Sequence, residues 1–370
     1  MDNIAAAAVV GLGLIGGSIA RALRYKCDIP YIIGIDKNAD YIRAALEDNV
    51  ISDGMVVDNS NISASIDADI VFICTPVPSV KAMASAIIPH VKKGCIITDT
   101  ASVKAPIMHD IETILHDDII FIGGHPMAGT EKSGYHAGNS RLLENAYYIL
   151  TPPSVCDDEA LDKLSRIIRS IGAIPLVMDA DTHDEVVAVV SHLPHVLASS
   201  LIHFTKEQHN AEHMKMLAAG AFRDMTRIAA SNPYMWREIC MANASAVKRS
   251  IDDFIAVLSR FANMLDDKDA ESILSYFIDA KQWRSDMPIV SKSYVYPTFD
   301  IIVDVDDKPG IIGEIATLLG QHSLNIKNIG ILNSREDTSG ALKISFGNKE
   351  TQRAAVNILQ SHDYKVFADS

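Results

Sequence analysis

The run IAAAAVVGLGLIGGSIARAL, Ile4 to Leu23, decides the fold of the first half of the chain. Small and branched apolar residues lead into Gly11, Gly13 and Gly16 before a helical pattern begins, the strand, tight turn and helix order of a dinucleotide fingerprint. Gly11 permits the turn, Gly13 lets a pyrophosphate approach the backbone, and Gly16 lets the helix pack on the strand. Leu12, Leu14 and Ile15 complete the expected cofactor-binding stretch, with the phosphates facing the helix N-terminus. The next apolar run, Tyr31 to Ile35, ends in Asp36, whose carboxylate is placed to accept ribose hydroxyls and to repel a 2′-phosphate. No arginine follows it immediately, so NAD is expected rather than NADP.

The same N-terminus invites a secretory-signal reading, but Asp2 is acidic and no basic residue precedes the apolar run. No other stretch reads as a membrane span. Cys27, Cys74, Cys95, Cys156 and Cys240 lie far apart without a CxxC pair, which supports neither a disulfide framework nor a zinc site. A cytoplasmic compartment is the expectation. With 370 residues, 48% of them hydrophobic, the chain has material for two or three domains. A net charge of -14 argues against nucleic acid or anionic membrane as a partner, so an anionic substrate needs local arginines.

Strand-like runs alternate with helical patterns at Ile70 to Cys74, Cys95 to Thr98, Ile119 to Ile122, Ala146 to Leu150 and Ile174 to Met178. That alternation predicts a Rossmann-type doubly wound α/β domain over residues 1–180. Residues 181–285 read as all helical, opening on a capping box at Thr182 and Glu185, with Asn232 and Pro233 starting a later helix. Glu238 to Leu265 reads as one long core or subunit-interface helix. Residues 286–297 form a turn-rich linker. Residues 298–370 then follow the βαββαβ order of a ferredoxin-like module, with a helix over Ile311 to Gln321.

His125, in GGHPMAGTEKSG (Gly123 to Gly134), follows a strand-like run and reads as a loop residue at a strand end, where a titratable ring can meet a substrate. Ser102, in DTASVK, sits at a neighbouring strand end and either orients that imidazole or caps the helix after Val103. His192 and His195 flank Pro194 in SHLPH; no third ligand has matching context, so substrate contact or packing outweighs metal binding. Arg223 and Arg227 stand four apart, and a guanidinium fork on Arg227 is the favoured carboxylate anchor, against a surface pair with Asp224. Trp236 and Asn232 are candidates to close the same pocket.

Together, GLGLIGGS, the TPV of Thr75 to Val77, DTASVK, GGHPMAGTEKSG, SHLPH and FRDMTRIAASNP resemble the prephenate dehydrogenase family, which includes arogenate dehydrogenases. The resemblance runs over nearly the whole chain. It implies that His125 bonds the substrate's ring hydroxyl, Ser102 supports it, and His192, Thr130 and Trp236 line the pocket. It further implies that Arg227 holds a substrate carboxylate, that Thr75, Pro76 and Val77 line the cofactor, and that the helical domain forms a homodimer. The implied activity is conversion of prephenate to 4-hydroxyphenylpyruvate, with arogenate as the alternative substrate.

The tail, through DKPGIIGEIA and Leu324 to Ile326, resembles an ACT domain. That resemblance implies tyrosine as a feedback ligand near Gly310 and Asn325, or a purely structural role. Homoserine and 3-phosphoglycerate dehydrogenases combine similar domains but lack the HPMAGTEKSG run. A non-enzymatic sensor of NAD and amino acids is opposed by His125, Ser102 and Arg227 occurring together.

Overall fold

Strand β1 (Ala6–Val10) is buried along its whole length, which is why its sequence is uniformly apolar rather than alternating. The strands that follow are β2 (Tyr31–Asp36), β3 (Asp53–Val56), β4 (Ile70–Ile73), β5 (Ile96–Asp99), β6 (Ile120–Pro126), β7 (Tyr147–Thr151) and β8 (Ile174–Val177). They form one sheet in the order β3-β2-β1-β4-β5-β6-β7-β8. Every pairing in it is parallel except that of β6 with β7. Strand order reverses between β1 and β4, so a crevice opens outside their carboxyl ends. Helices α1 (Leu14–Lys26), α2 (Ala39–Glu47), α3 (Val80–Ile87), α4 (Ala105–Glu112) and α5 (Asp158–Ser170) complete the domain. Two apolar cores form, one around Val9, Leu23, Phe72 and Ile168, the other around Val10, Ile73, Ile107 and Phe121. Short, partly exposed β3 carries no apolar alternation and was not expected.

This computed structural model describes residues 4–57, 65–115, 119–130, 132–154, 157–287, 299–306, 308–332 and 339–368. The chain divides into two compact units, Met1–Val290 and Ser291–Ser370.

His125 is not a loop residue. Strand β6 pairs with β5 only as far as Ile122, then continues through Gly123–Pro126 against the antiparallel β7, with His125 opposite Ile149. Glycine makes that passage possible. A Cβ on Gly123 would lie 2.2 Å from Thr151 Oγ1, and one on Gly124 would lie 2.5 Å from the Asp99 carbonyl oxygen.

The helical half opens with α6 (Ala180–Val187), a π turn (Ala188–His192) and α7 (Leu193–Glu207), which run on as one 28-residue helix from Ala180 to Glu207. Its N-cap is Asp179, which accepts from the Thr182 amide at 2.8 Å; the expected Thr182 cap therefore sits inside the helix. Pro194 lacks an amide hydrogen and its ring crowds the carbonyl four residues back, which accounts for the widened turn before it. Contrary to expectation, this run is long enough to cross a membrane and holds an 18-residue window apolar enough to do so, with mean hydropathy 1.5. It nevertheless buries His183, Asp184 and His192 among protein partners.

Helices α8 (Ala211–Leu217), α9 (Gly220–Thr226), α10 (Pro233–Ala242), α11 (Ala244–Asp266) and α12 (Ala270–Asp286) follow. Asn232 caps α10 as expected, accepting from the Tyr234 and Met235 amides. The single helix expected over Glu238 to Leu265 is broken at Asn243, whose buried side chain serves the site described below. Little of α11 is buried; Ile255 and Leu258 are exposed.

The second unit contains β9 (Phe299–Asp306), α13 (Ile311–Gln321), β10 (Ile326–Leu332), β11 (Ser339–Phe346), α14 (Lys349–Ser361) and β12 (Lys365–Ala368). The antiparallel sheet runs β10-β11-β9-β12, and its core holds Ile301, Val303, Ile315, Leu319, Ile344 and Leu359. The element order is the ferredoxin-like βαββαβ. Gly310 takes a left-handed conformation (φ 93°) as the N-cap of α13, and exposed Asn325 precedes β10 rather than lying within it. Most of the linker 286–297, and Asp307 in the turn before α13, lie outside the described residues.

Candidate active site

At the β1 carboxyl end the three fingerprint glycines have separate reasons. Gly11 is left-handed (φ 89°), and a Cβ there would lie 2.7 Å from the Cys74 carbonyl oxygen. A Cβ on Gly16 would stand 1.8 Å from the Gly11 carbonyl oxygen, so α1 cannot approach the turn with any larger residue. Gly13 faces open space, where a ligand backbone can come close. Asp36 accepts from the Leu12 amide at 2.5 Å and the Asn38 amide at 2.7 Å, tying the glycine turn to the end of β2. Leu14 and Ile15 open α1, which has no side-chain cap, so its first amides remain available to an anion. Beside the turn, Thr75 has a buried hydroxyl with no partner among the described residues, and Pro76 precedes a short 3-10 turn beginning at Val77. A dinucleotide fits this set: glycine cradle, unpaired hydroxyl, free helix amides and a carboxylate at the ribose end.

A chain of buried polar groups surrounds His125. Its Nδ1 lies 2.8 Å from Nε2 of His183, and Nδ1 of His183 lies 2.7 Å from Oδ1 of Asp184. The Asp184 carboxylate also accepts from the Lys104 amide (2.7 Å) and the Ala105 amide (2.9 Å), thereby capping α4 from 80 residues away. Lys104 is fully buried; its ammonium pairs with Asp99 and donates to the Gly124 carbonyl at 2.8 Å, directly before His125. Asp99 completes the clamp by accepting from the Gly124 and Ala101 amides. Just beyond the same run, buried Tyr135 lies under the Arg21 guanidinium of α1 and donates to Asp48 at the end of α2, fixing the motif's far end to both helices.

Tautomers follow from this network. A carboxylate only accepts, so His183 donates from Nδ1 and turns a lone pair on Nε2 toward His125. His125 must then donate from Nδ1, which leaves the lone pair of the neutral ring on Nε2. Burial, aided by the neighbouring His183, Lys104 and His192, pushes the His125 pKa well below the usual histidine value. Burial pushes the Lys104 ammonium down as well, against the pull of Asp99. At neutral pH His125 is an uncharged base.

The second histidine pocket is a donor site. Asn243 donates Nδ2 to the Asp184 carbonyl oxygen at 2.8 Å and faces Nδ1 of His192 at 3.3 Å, so the His192 proton sits on Nε2. Burial holds the His192 pKa down at about 4, so the ring is neutral. Nε2 of His192 and Nε1 of Trp236 are both buried without a partner among the described residues, and the two rings meet edge to face at 5.9 Å. Two unpaired donors in one pocket suit an oxygen anion. His195 does not join His192 as a ligand pair but stacks on Trp236, ring centroids 3.6 Å apart.

Other expected residues fare differently. Ser102 lies half-buried on the bend after β5, bonds no described residue and does not cap α4, because Asp184 satisfies the amides there. The partner of His125 is His183 instead. Helix α9 ends at Thr226, and Arg227 begins the 3-10 turn that follows directly. Arg227 is exposed and pairs with no described carboxylate, whereas Arg223 donates to the Ala218 carbonyl. Exposed Thr130 accepts from the Lys132 amide within its own turn. His183, Asp184, Asp99, Lys104 and Asn243 were not anticipated; the sequence signal was titratable or amide side chains on otherwise apolar inward faces.

Residues 19–176 match the nucleotide-binding domain of prephenate dehydrogenase, and residues 179–279 match its dimerization domain. The chain is 37% identical over 362 residues to the prephenate dehydrogenase of Bacillus subtilis (strain 168), covering 97% of each. This chain belongs to the prephenate dehydrogenase family. Its first unit resembles the crystal structure of Aquifex aeolicus prephenate dehydrogenase in complex with hydroxyphenyl propionate and NAD+, at 31% identity and TM-score 0.71, over 77% of this chain and 99% of that one. Synechocystis arogenate dehydrogenase follows at 29% identity and TM-score 0.67, over 76% and 99%. As a prephenate dehydrogenase family member the chain is an NAD-dependent oxidoreductase of aromatic amino-acid biosynthesis, and the glycine turn at Gly11–Gly16 lies directly before the stretch that matches the nucleotide-binding domain.

Proposed function

We propose that the protein oxidises and decarboxylates prephenate to 4-hydroxyphenylpyruvate, releasing carbon dioxide and NADH, in the cytoplasm. The observation that carries this reading is the neutral, buried His125, with its Nε2 lone pair free for a substrate hydroxyl. NAD bound at the glycine turn supplies the hydride acceptor. The remaining tasks fall to the protein. His125 accepts the hydroxyl proton; Nε2 of His192 and Nε1 of Trp236 donate to a substrate oxygen anion; Arg227 attracts a substrate carboxylate from the rim. Ser102 and Thr130 are assigned to the substrate side on their motifs. None of these groups needs to neutralise the departing ring carboxylate, since gain of aromaticity drives its loss.

The test is NADH formation, followed by absorbance, when protein, NAD and prephenate are mixed. No NADH from prephenate would refute the assignment. The likeness to Synechocystis arogenate dehydrogenase favours arogenate as the second reading, and the same assay with arogenate decides between them. Exposed Ile255, Leu258, Leu274, Phe277 and Ile278 on α11 and α12 support a homodimer through the dimerization domain. The βαββαβ unit supports assignment as an ACT domain that binds tyrosine near Gly310 and Asn325 and inhibits the reaction. A chain ending at Ser293 should then stay active but lose inhibition by millimolar tyrosine; equal inhibition of both forms would place the effect at the active site.

A further inference from the structure

His183 is fully buried, lies between the base and a carboxylate, and has no part in the reaction as proposed so far. His125 feels His183, Lys104 and His192, with Asp99 behind Lys104; His183 feels His125, Asp184 and His192. A proton arriving on His125 therefore lies beside a buried ammonium, whereas one ring further on it lies 2.7 Å from a carboxylate.

We propose that His183 is a positioning residue that acts through His125, first fixing its tautomer and then taking over its charge, so that the imidazolium formed during the reaction resides on His183 against Asp184. This rests on the dehydrogenase reading above. The substrate O–H bond breaks and an Nε2–H bond forms on His125; the Nδ1–H bond of His125 breaks and an Nε2–H bond forms on His183. His183 keeps its Nδ1 proton on Asp184 throughout. The electron pair of the carbinol C–H bond leaves as hydride to NAD, and that of the bond to carbon dioxide enters the ring. Resetting the relay returns the proton through His125 to solvent or product. The device keeps a full positive charge away from Lys104 during the step in which the base must accept a proton.

His183→Gln separates proton transfer from spacing, because the glutamine carbonyl can still accept from Nδ1 of His125 but cannot take its proton. We expect kcat to fall about 10- to 100-fold with KM for prephenate little changed, and the acid limb of kcat/KM to move to lower pH. A merely structural role predicts neither change, so wild-type kcat with an unmoved acid limb would overturn the proposal. Nitrogen-15 NMR of the histidine-labelled wild-type enzyme gives an independent measure should the variant not fold. Both His125 and His183 should carry their protons on Nδ1 at neutral pH, and on acidification His183 should become doubly protonated before His125. A proton on Nε2 of His125 at neutral pH, or earlier charging of His125, would overturn it. If the wild-type enzyme makes no NADH from prephenate, the reaction is misassigned, and the titration still decides which ring takes the charge.

Discussion

The two halves of this site are built by opposite means. The glycine turn draws on Gly11, Gly13, Gly16 and Asp36, all within one β-α-β stretch, and its shape follows from backbone space that only glycine leaves. The His125 half draws on Asp99, Lys104, His183, Asp184, His192 and Asn243, spread over more than a hundred residues and joined only when two domains pack. A local site tolerates changes elsewhere in the fold. A distributed one fails when any remote element shifts, and its failure appears in chemistry before it appears in cofactor binding.

The sharpest test of that contrast is His125→Asn, which should lower kcat by about 10²- to 10⁴-fold while NAD affinity, read by fluorescence titration, stays within about twofold. Loss of both together would mean that the halves are not separable. Next in size is Arg227→Ala. Its exposed guanidinium should contribute about 1.5 to 3 kcal/mol as a charge-assisted contact, raising KM for prephenate roughly 10- to 100-fold, with lysine restoring only part. An unchanged KM would move the anchor to Arg223.

A pair of glycine variants probes the other half. Gly16→Ala forces a Cβ into the Gly11 carbonyl and should lower the melting temperature, whereas Gly13→Ala meets nothing within 4 Å and should melt as the wild type does. Gly13→Ala should nevertheless weaken NAD by about tenfold, or about 1.4 kcal/mol, because the added methyl occupies the approach of the pyrophosphate. Equal melting temperatures for both variants would contradict the packing described here.

A further expected effect is on acid stability. His125 and His192 are held neutral by burial, with His192 at about 4, so the unfolded chain binds more protons than the native one below pH 6.5. Stability should therefore fall as pH drops from about 6.5 toward 4, with a slope approaching 1.4 kcal/mol per pH unit for each histidine. Replacing His192 with Gln should flatten part of that slope in chemical denaturation; an unchanged slope would mean that the ring is already charged in the native state.

Legibility in the sequence divides along the same line. The glycine turn, Asp36, the Asn232 cap and the helix Ile311–Gln321 are set by neighbours within a few residues, and they stand where spacing alone placed them. His125 was recognised as a candidate base, yet its strand placement was missed because the antiparallel β7 that extends β6 arrives 20 residues later. His183 and Asp184 lie between the two residues read as a capping box, Thr182 and Glu185, and only packing against α4 reveals their face as interior. Asn243 lay inside an unbroken helical pattern, and its inward commitment to Asp184 and His192 cannot be inferred from periodicity.

The π turn at Ala188–His192 carries one more consequence, for helical phase. His183 and His192 are nine residues apart, and nine residues of regular α-helix sweep about two and a half revolutions, which would leave the two rings on opposite sides of the rod. A wider turn between them uses up residues without advancing the rotation as far, and so both rings reach the same pocket. The segment is thus tuned by residue count rather than residue type. Conservative substitutions at Val189 and Val190, both exposed, should pass unnoticed, whereas inserting one further residue between them would carry His192 and Pro194 about 100° further round the rod and separate the donor pocket from the base.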